Sequence, residues 1–265
     1  LCRSLNNIAI DGAEISVLTV KEHRFVLILR GEALSPELAD SDPQQPGVAP
    51  KKVEALSPQA QRTADIANEF ISQARSLLQG KTPANMVLLR GFSHCPDIPT
   101  IPEIYKLNPA AIATYPMYRG LAKLVGMQIL PGGKNITEQL NSLRRYYADY
   151  DFFFVHFKNT DARGEDGDFR AKVQAIEELD NALPSLLSLD PEVLIITGDH
   201  STPATLAMHG WHPVPFMLKS KWCRPDNVAE FSERACLAGG MGRFPATEIM
   251  PLAMANALKL DKFGA

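Results

Sequence analysis

No apolar run in this sequence reaches the ~18 residues that a membrane-spanning helix requires. The opening Leu-Cys-Arg-Ser-Leu-Asn-Asn also lacks the charged and apolar regions of a secretory signal. Cysteine is sparse: Cys2, Cys95, Cys223 and Cys236 stand at irregular spacings with no CxxC pair. That pattern fits reduced thiols in a cytoplasm better than a disulfide framework or a zinc knuckle. Neither sign of charge dominates. The 27 basic and 30 acidic residues interleave to a formal net charge of -3, leaving no basic stripe for a nucleic acid, so any anionic ligand must be small and locally bound. Internal repeats and low-complexity tracts are missing as well. Core-forming material is what the chain has: 265 residues, 45% of them hydrophobic, suffice for one large or two modest domains. The chain starts at Leu1, directly in a patterned segment, which predicts further sequence upstream.

The first third predicts a β-hairpin from Ala13–Val20 and Arg24–Leu29, both rich in β-branched and apolar residues. Pro36, Pro43, Pro46, Pro50 and Pro58 then punctuate a polar stretch that reads as a long surface loop. Ile66, Phe70, Ala74 and Leu77 recur at helical spacing, predicting an amphipathic helix over Ala60–Leu78 that ends at Gly80. Met86–Leu89 and Ala111–Thr114 read as short strands, and Leu121–Val125 as a short helix. Asn135 is placed to cap a helix, with Glu138 three residues on. After Tyr150 the rhythm is that of an α/β sheet: strand Asp151–Phe157, helix Phe169–Leu187, strands Val193–Thr197 and Val214–Leu218, and a final helix from Thr247. The strands are apolar on both faces, as buried parallel strands are. Phe169, Val173, Ile176, Leu179, Leu183 and Leu186 give the connecting helix one apolar face, and its length suits a right-handed crossover.

Open α/β sheets bind ligands beyond the carboxyl ends of their strands, and two strands here end in polar, acidic runs. One leads into Lys158-Asn159-Thr160-Asp161-Ala162-Arg163-Gly164-Glu165-Asp166-Gly167-Asp168, the other into Thr197-Gly198-Asp199-His200-Ser201-Thr202-Pro203. Four carboxylates within eight residues repel one another unless water, a helix dipole or a cation offsets the charge. Asp166 and Asp168 are placed to begin the following helix, where carboxylates are favoured, which leaves Asp161, nearest the strand end, as the better ligand. Asp199-His200, with His209 nine residues on, joins a hard oxygen to imidazoles, a set suited to divalent ions. His156, inside a strand, and His212, before Pro213, read as core or surface histidines. His23 with Arg24 and Arg30, and His94 with Arg90, read either as solvated side chains, the commoner case, or as small basic patches for a phosphate and a carboxylate. A Ser/His/Asp hydrolase centred on Ser201 would need a geometry this run of neighbours does not offer.

Taken together, Thr197-Gly198-Asp199-His200-Ser201-Thr202-Pro203, His209, Pro213-Val214-Pro215 and Val155-His156-Phe157-Lys158-Asn159-Thr160-Asp161 resemble the archaeal-type cofactor-independent phosphoglycerate mutases of the alkaline phosphatase superfamily. The likeness continues through Glu22-His23-Arg24-Phe25-Val26-Leu27, Leu29-Arg30-Gly31, Leu89-Arg90-Gly91, Met250-Pro251-Leu252 and Lys262-Phe263-Gly264-Ala265. It implies an α/β fold, an alkaline-phosphatase-like, mostly parallel sheet flanked by helices, with a smaller inserted α+β domain. Residues 1–115 would form most of the inserted substrate-side domain and 116–265 the C-terminal part of the metal-binding domain. By motif matching, Asp161 and His209 would hold one metal, Asp199 and His200 the other. Glu165 stands where the family usually has a histidine, four residues after the aspartate matching Asp161. A carboxylate there would favour Mn²⁺ or Mg²⁺, with Zn²⁺ the remaining candidate. Arg119 occupies a place where the family would lead one to expect lysine.

The activity implied is metal-dependent interconversion of 3-phosphoglycerate and 2-phosphoglycerate, a step of glycolysis and gluconeogenesis, without 2,3-bisphosphoglycerate. It would proceed through a phosphoserine whose serine lies upstream of this chain. Arg24, Arg30, Arg90 and Arg119 are the expected contacts to the small phosphorylated substrate, and neither a nucleic acid nor a membrane is an expected partner. Two other readings remain beside it: a phosphatase or phosphonate-processing relative using the same metals, and a truncated, non-catalytic homologue that keeps the fold.

Overall fold

The computed structural model describes residues 1–21 and 23–261. Glu22 and Lys262-Phe263-Gly264-Ala265, which belong to the segments that carry the resemblance, lie outside the described residues. Two compact units result, Leu1–Asp97 and Ile98–Ala265.

In the first unit, α1 (Cys2–Leu5) precedes an antiparallel hairpin of β1 (Glu14–Lys21) and β2 (Arg24–Arg30), with Val17 opposite Leu27 and Ile15 opposite Leu29. Side-chain alternation turns Ile15, Val17, Phe25 and Leu27 towards the core. Against them lies α2 (Gln61–Leu77), whose Ala64, Ala67, Phe70 and Ala74 are buried at helical spacing. The proline-punctuated stretch has no helix or long strand up to Ser57, as expected, but it is not wholly a surface loop: Leu38, Ser41 and Val53 are buried. Its polar groups are met by side chains. Asn68 accepts from the Val53 amide at 3.0 Å and donates to its carbonyl at 2.8 Å. Met86–Leu89 is not a strand. With no partner strand beside it, the Leu89 amide donates to Ser41 Oγ at 2.7 Å and its carbonyl accepts from the Ser41 amide at 2.8 Å, so the backbone is satisfied without a ladder.

The second unit is a mixed α/β structure with a parallel sheet flanked by helices. After α3 (Ile101–Tyr105), strand β3 (Pro109–Ala113) lies between β4 (Gln128–Ile129) and β5 (Phe152–His156) in the order β4-β3-β5. Every residue of β3 is buried, as a central parallel strand requires. Since β3 pairs with β5, Pro109–Ala113 belongs to this unit, and the division falls between Asp97 and Ile98 and not at residue 115.

Helix α4 (Pro116–Leu124) starts earlier than the expected Leu121, with Pro116 at its first turn. Helix α5 (Ile136–Tyr146) is capped as expected, the Asn135 side chain accepting from the Glu138 amide at 2.9 Å. The short α6 (Asn159–Glu165) follows β5, and Asp168 caps α7 (Phe169–Leu187) by accepting from the Ala171 amide at 2.9 Å.

The predicted apolar face of α7 is covered in part. Leu179, Ala182 and Leu186 pack against the core, whereas Phe169 is 67% exposed and Ile176 51%. Strand β6 (Val193–Thr197) pairs antiparallel with β7 (Phe216–Ser220) in a separate sheet, so α7 links two sheets and is not a crossover within one. β7 begins two residues later than expected because Pro213 and Pro215 have no amide to give to a ladder. Past α8 (Glu233–Cys236), a short 3-10 turn at Ala246–Glu248 replaces the first turn expected from Thr247, and α9 (Ile249–Asn256) ends the described elements. Among the described residues no helix is long and apolar enough to cross a membrane.

Candidate metal centre

Strand β5 delivers its chain end straight into α6, and Asp161 sits in the first turn of that helix, where a carboxylate is favoured. Glu165, four residues on, shares its face. The second half of the centre is made by an isolated bridge. Ser201 and Gly210 pair antiparallel, the Gly210 amide donating to the Ser201 carbonyl at 2.7 Å. This brings the residues just before each, His200 and His209, alongside one another, their rings stacked with centroids 3.9 Å apart.

One ligand atom each from Asp161, His200 and His209 lies within 4.8 Å of the others. Asp161 Oδ1 is 3.8 Å from both His200 Nδ1 and His209 Nε2. Glu165 is at the edge of this group, its Oε1 3.5 Å from His209 Nε2. Asp199 is at the other edge, its Oδ2 3.6 Å from His200 Nε2. His200 thus stands between the two carboxylates, its Nδ1 towards Asp161 and its Nε2 towards Asp199. A carboxylate oxygen and two imidazole nitrogens at such separations fit a first-row divalent ion, so the residues present suit a metal.

Two groups that the sequence does not flag hydrogen-bond to these candidate ligands. Thr202, the buried neighbour of the Ser201 considered above, donates its hydroxyl to Asp161 Oδ1 at 2.5 Å and lies 3.0 Å from His200 Nδ1. Its one hydroxyl proton goes to Asp161, and its oxygen is also the contact of His200 Nδ1. The Thr202 carbonyl accepts from Lys172 Nζ at 2.6 Å, and burial lowers the pKa of that lysine. The second missed group is Tyr118 of α4, whose hydroxyl donates to Asp199 Oδ2. Burial first, then the Asp199 carboxylate, raises the pKa of the Tyr118 phenol. Burial alone would push the Asp199 carboxyl up, but the Tyr118 hydrogen bond and the His200 and His156 rings together hold it below the usual carboxylate range. Nothing in the local sequence flags either residue, since each reaches its partner only through the tertiary fold. Lys158 pairs with Asp161 and lies 3.8 Å from Glu165, offsetting their mutual repulsion.

The other candidates are dispersed. Arg24, Arg30 and Arg90 are in the first unit, where Arg30 pairs with Glu14 at 3.3 Å and Arg90 with Asp42 at 3.6 Å. Arg119 is exposed on α4, beside Tyr118.

Gly164 shows how closely helix and loop meet here. A Cβ at this position would come within 2.3 Å of the Thr202 carbonyl oxygen. Gly164→Ala is therefore expected to displace Thr202 and destabilise the fold by about 1–3 kcal/mol, measured by urea denaturation. Divalent-ion affinity should fall with it, because the Thr202 hydroxyl aligns Asp161 and His200.

His156 yields a pH prediction. Its ring is half-buried, its Nδ1 has no hydrogen-bond partner, and burial depresses its pKa below the ordinary range. The unfolded chain then binds more protons than the folded one between the two values, so this contribution is full above the ordinary value of about 6.5 and is lost as pH falls through it. Urea titrations at pH 7.5 and 5 should show stability falling on acidification, with a shallower fall in His156→Phe. An identical fall in the variant would contradict this.

A family model described as the Metalloenzyme superfamily matches residues 11–256. A probable 2,3-bisphosphoglycerate-independent phosphoglycerate mutase from Thermotoga neapolitana is 48% identical over 256 residues, covering 97% of this chain and 64% of that protein. A protein of the same description from Thermus thermophilus is 47% identical over 259 residues, with the same coverage of 97% and 64%. The chain thus spans 64% of the length of these relatives. Among solved structures, the cofactor-independent phosphoglycerate mutase of Thermoplasma acidophilum superposes with a TM-score of 0.69 at 25% identity, over 97% of this chain and 68% of that one.

Proposed function

Since the chain belongs to the Metalloenzyme superfamily, we propose that its protein interconverts 3-phosphoglycerate and 2-phosphoglycerate through a phosphoserine, the serine being supplied from upstream of Leu1. The observation that carries this reading is the convergence of Asp161, His200 and His209, from two separate chain segments, on one metal-sized space. The names of the relatives support the substrate class and independence from 2,3-bisphosphoglycerate.

Asp161, His200 and His209, with Asp199 and Glu165 at the edges, would hold two divalent ions. Glu165 favours Mn²⁺ or Mg²⁺, with Zn²⁺ the third candidate. When bound, such ions would activate the nucleophile and offset charge on the transferring phosphoryl oxygens. The chain's own residues have separate tasks in this reading. Thr202 orients Asp161 and His200, and Lys158 balances the two carboxylates of α6. Arg24, Arg30, Arg90 and Arg119 contact the carboxylate and phosphate of the substrate. The first unit serves as an inserted, substrate-side domain, and the second as part of the metal-binding domain. The setting proposed is the cytoplasm, within glycolysis or gluconeogenesis.

A product assay on the protein extended upstream, supplied with Mn²⁺ and 3-phosphoglycerate, tests the reading. Formation of 2-phosphoglycerate without release of inorganic phosphate is expected. Accumulation of inorganic phosphate would replace the mutase with a hydrolase. No turnover by a folded, metal-loaded protein would leave a non-catalytic homologue.

A further inference from the structure

We propose that Tyr118 is a positioning residue for the metal centre, its phenol fixing the orientation in which Asp199 presents its carboxylate. The inference rests on the reading of Asp199 as a metal ligand.

Three features of the second unit place this phenol. Pro116 starts α4 almost directly after β3, so Tyr118 stands above the carboxyl end of the sheet in the first turn of its helix. Its ring stacks on His156, the last residue of the adjacent β5, with centroids 3.7 Å apart and planes 24° from parallel. Tyr115 meets its edge at 6.3 Å. The ring is thus held by the ends of two hydrogen-bonded strands, and its hydroxyl can reach only a limited region.

In that region it donates to Asp199 Oδ2, while Asp199 Oδ1 accepts from the His200 amide at 3.1 Å. With both oxygens held, the carboxylate loses the rotation that half-exposed aspartates ordinarily keep. The anchored Oδ2 is also the oxygen that lies 3.6 Å from His200 Nε2. An outer hydrogen bond of this kind sets the plane and basicity of a ligating carboxylate, and losing one typically weakens metal binding by about 10–100-fold. Phenylalanine would keep the stack on His156 and lose only this hydrogen bond, which separates orientation from packing.

The test is a calorimetric Mn²⁺ titration of the 265-residue chain, its Tyr118→Phe and Asp199→Asn variants, and His156→Leu, with the Mn²⁺ electron paramagnetic resonance spectrum recorded for each. Tyr118→Phe is expected to weaken binding by about 10–100-fold, to alter the spectrum, and to leave the thermal midpoint in chelator unchanged. His156→Leu removes the supporting ring but keeps the hydroxyl, so a smaller weakening is expected. It also serves as the second variant should Tyr118→Phe fold poorly. If Asp199→Asn weakens binding while Tyr118→Phe and His156→Leu bind as the parent does, the positioning role is overturned and the ligand reading stands. If Asp199→Asn itself binds as the parent does, the ligand reading fails and the inference fails with it.

Discussion

Asp161→Asn should weaken divalent-ion binding by more than about 100-fold, beyond what loss of an outer-shell hydrogen bond costs. Asparagine keeps the shape and can still accept from Thr202, so the fold around α6 should survive. What it lacks is the charge. Asp161 is the carboxylate that faces both His200 and His209, and its side chain is only 14% exposed, against 50% for Glu165. At such separations two unit charges near a protein surface interact by roughly 4 kcal/mol, and a divalent ion doubles the stake. Removing this carboxylate also leaves the Lys158 ammonium paired with Glu165 alone, at 3.8 Å, a residual positive charge that repels an incoming cation. Glu165→Gln, at the more exposed position, should cost clearly less. Calorimetric titration with Mn²⁺ measures both, and an Asp161→Asn affinity within threefold of the parent would remove Asp161 from the ligand set.

The candidate ligands are legible in the sequence because strand ends announce themselves. Asp161 follows the run Phe152–His156, and Asp199-His200 follows Val193–Thr197, both apolar enough to be read as strands without any knowledge of their neighbours. Capping by Asn135 and Asp168 was legible for a related reason, since a cap depends on residues only three apart. What stayed hidden depends on long-range geometry. His209 reaches His200 through the bridge of Ser201 to Gly210, and Tyr118 meets Asp199 across 81 residues. Periodicity likewise says which residues are apolar but not what will cover them. The helix Phe169–Leu187 stands where its periodicity puts it, but of its apolar stripe Leu179 and Leu186 are covered while Phe169 and Ile176 stay exposed. Met86–Leu89 has the composition of a strand and no strand to pair with, so Ser41 completes its hydrogen bonds instead.

Ile112→Ala should produce the largest loss of stability in the second unit, about 2–5 kcal/mol, with Ile112→Val costing about 0.5–1.5 kcal/mol. Ile112 is fully buried in the central strand β3, opposite Val155 of β5, and it packs in one cluster with Leu130, Ile136 and Leu140. The strand backbone is held by parallel ladders, to β5 at Ile112 itself and to β4 at Ala110 and Ala111. The same sheet carries His156 at the end of β5 and, three residues later, the start of α6 with Asp161. If the sheet acts only as a support, Ile112→Val should lower the unfolding midpoint while leaving the Mn²⁺ affinity at 25 °C unchanged, because the folded fraction stays near one. Ile112→Ala should lose apparent affinity only in proportion to its unfolded fraction. Saturating Mn²⁺ should restore part of the stability, about 2.7 kcal/mol at a free concentration a hundred times the dissociation constant. A tenfold loss of affinity in the fully folded valine variant would instead mean that packing beneath β5 sets the geometry of the ligands, and the sheet would then have to be counted as part of the site.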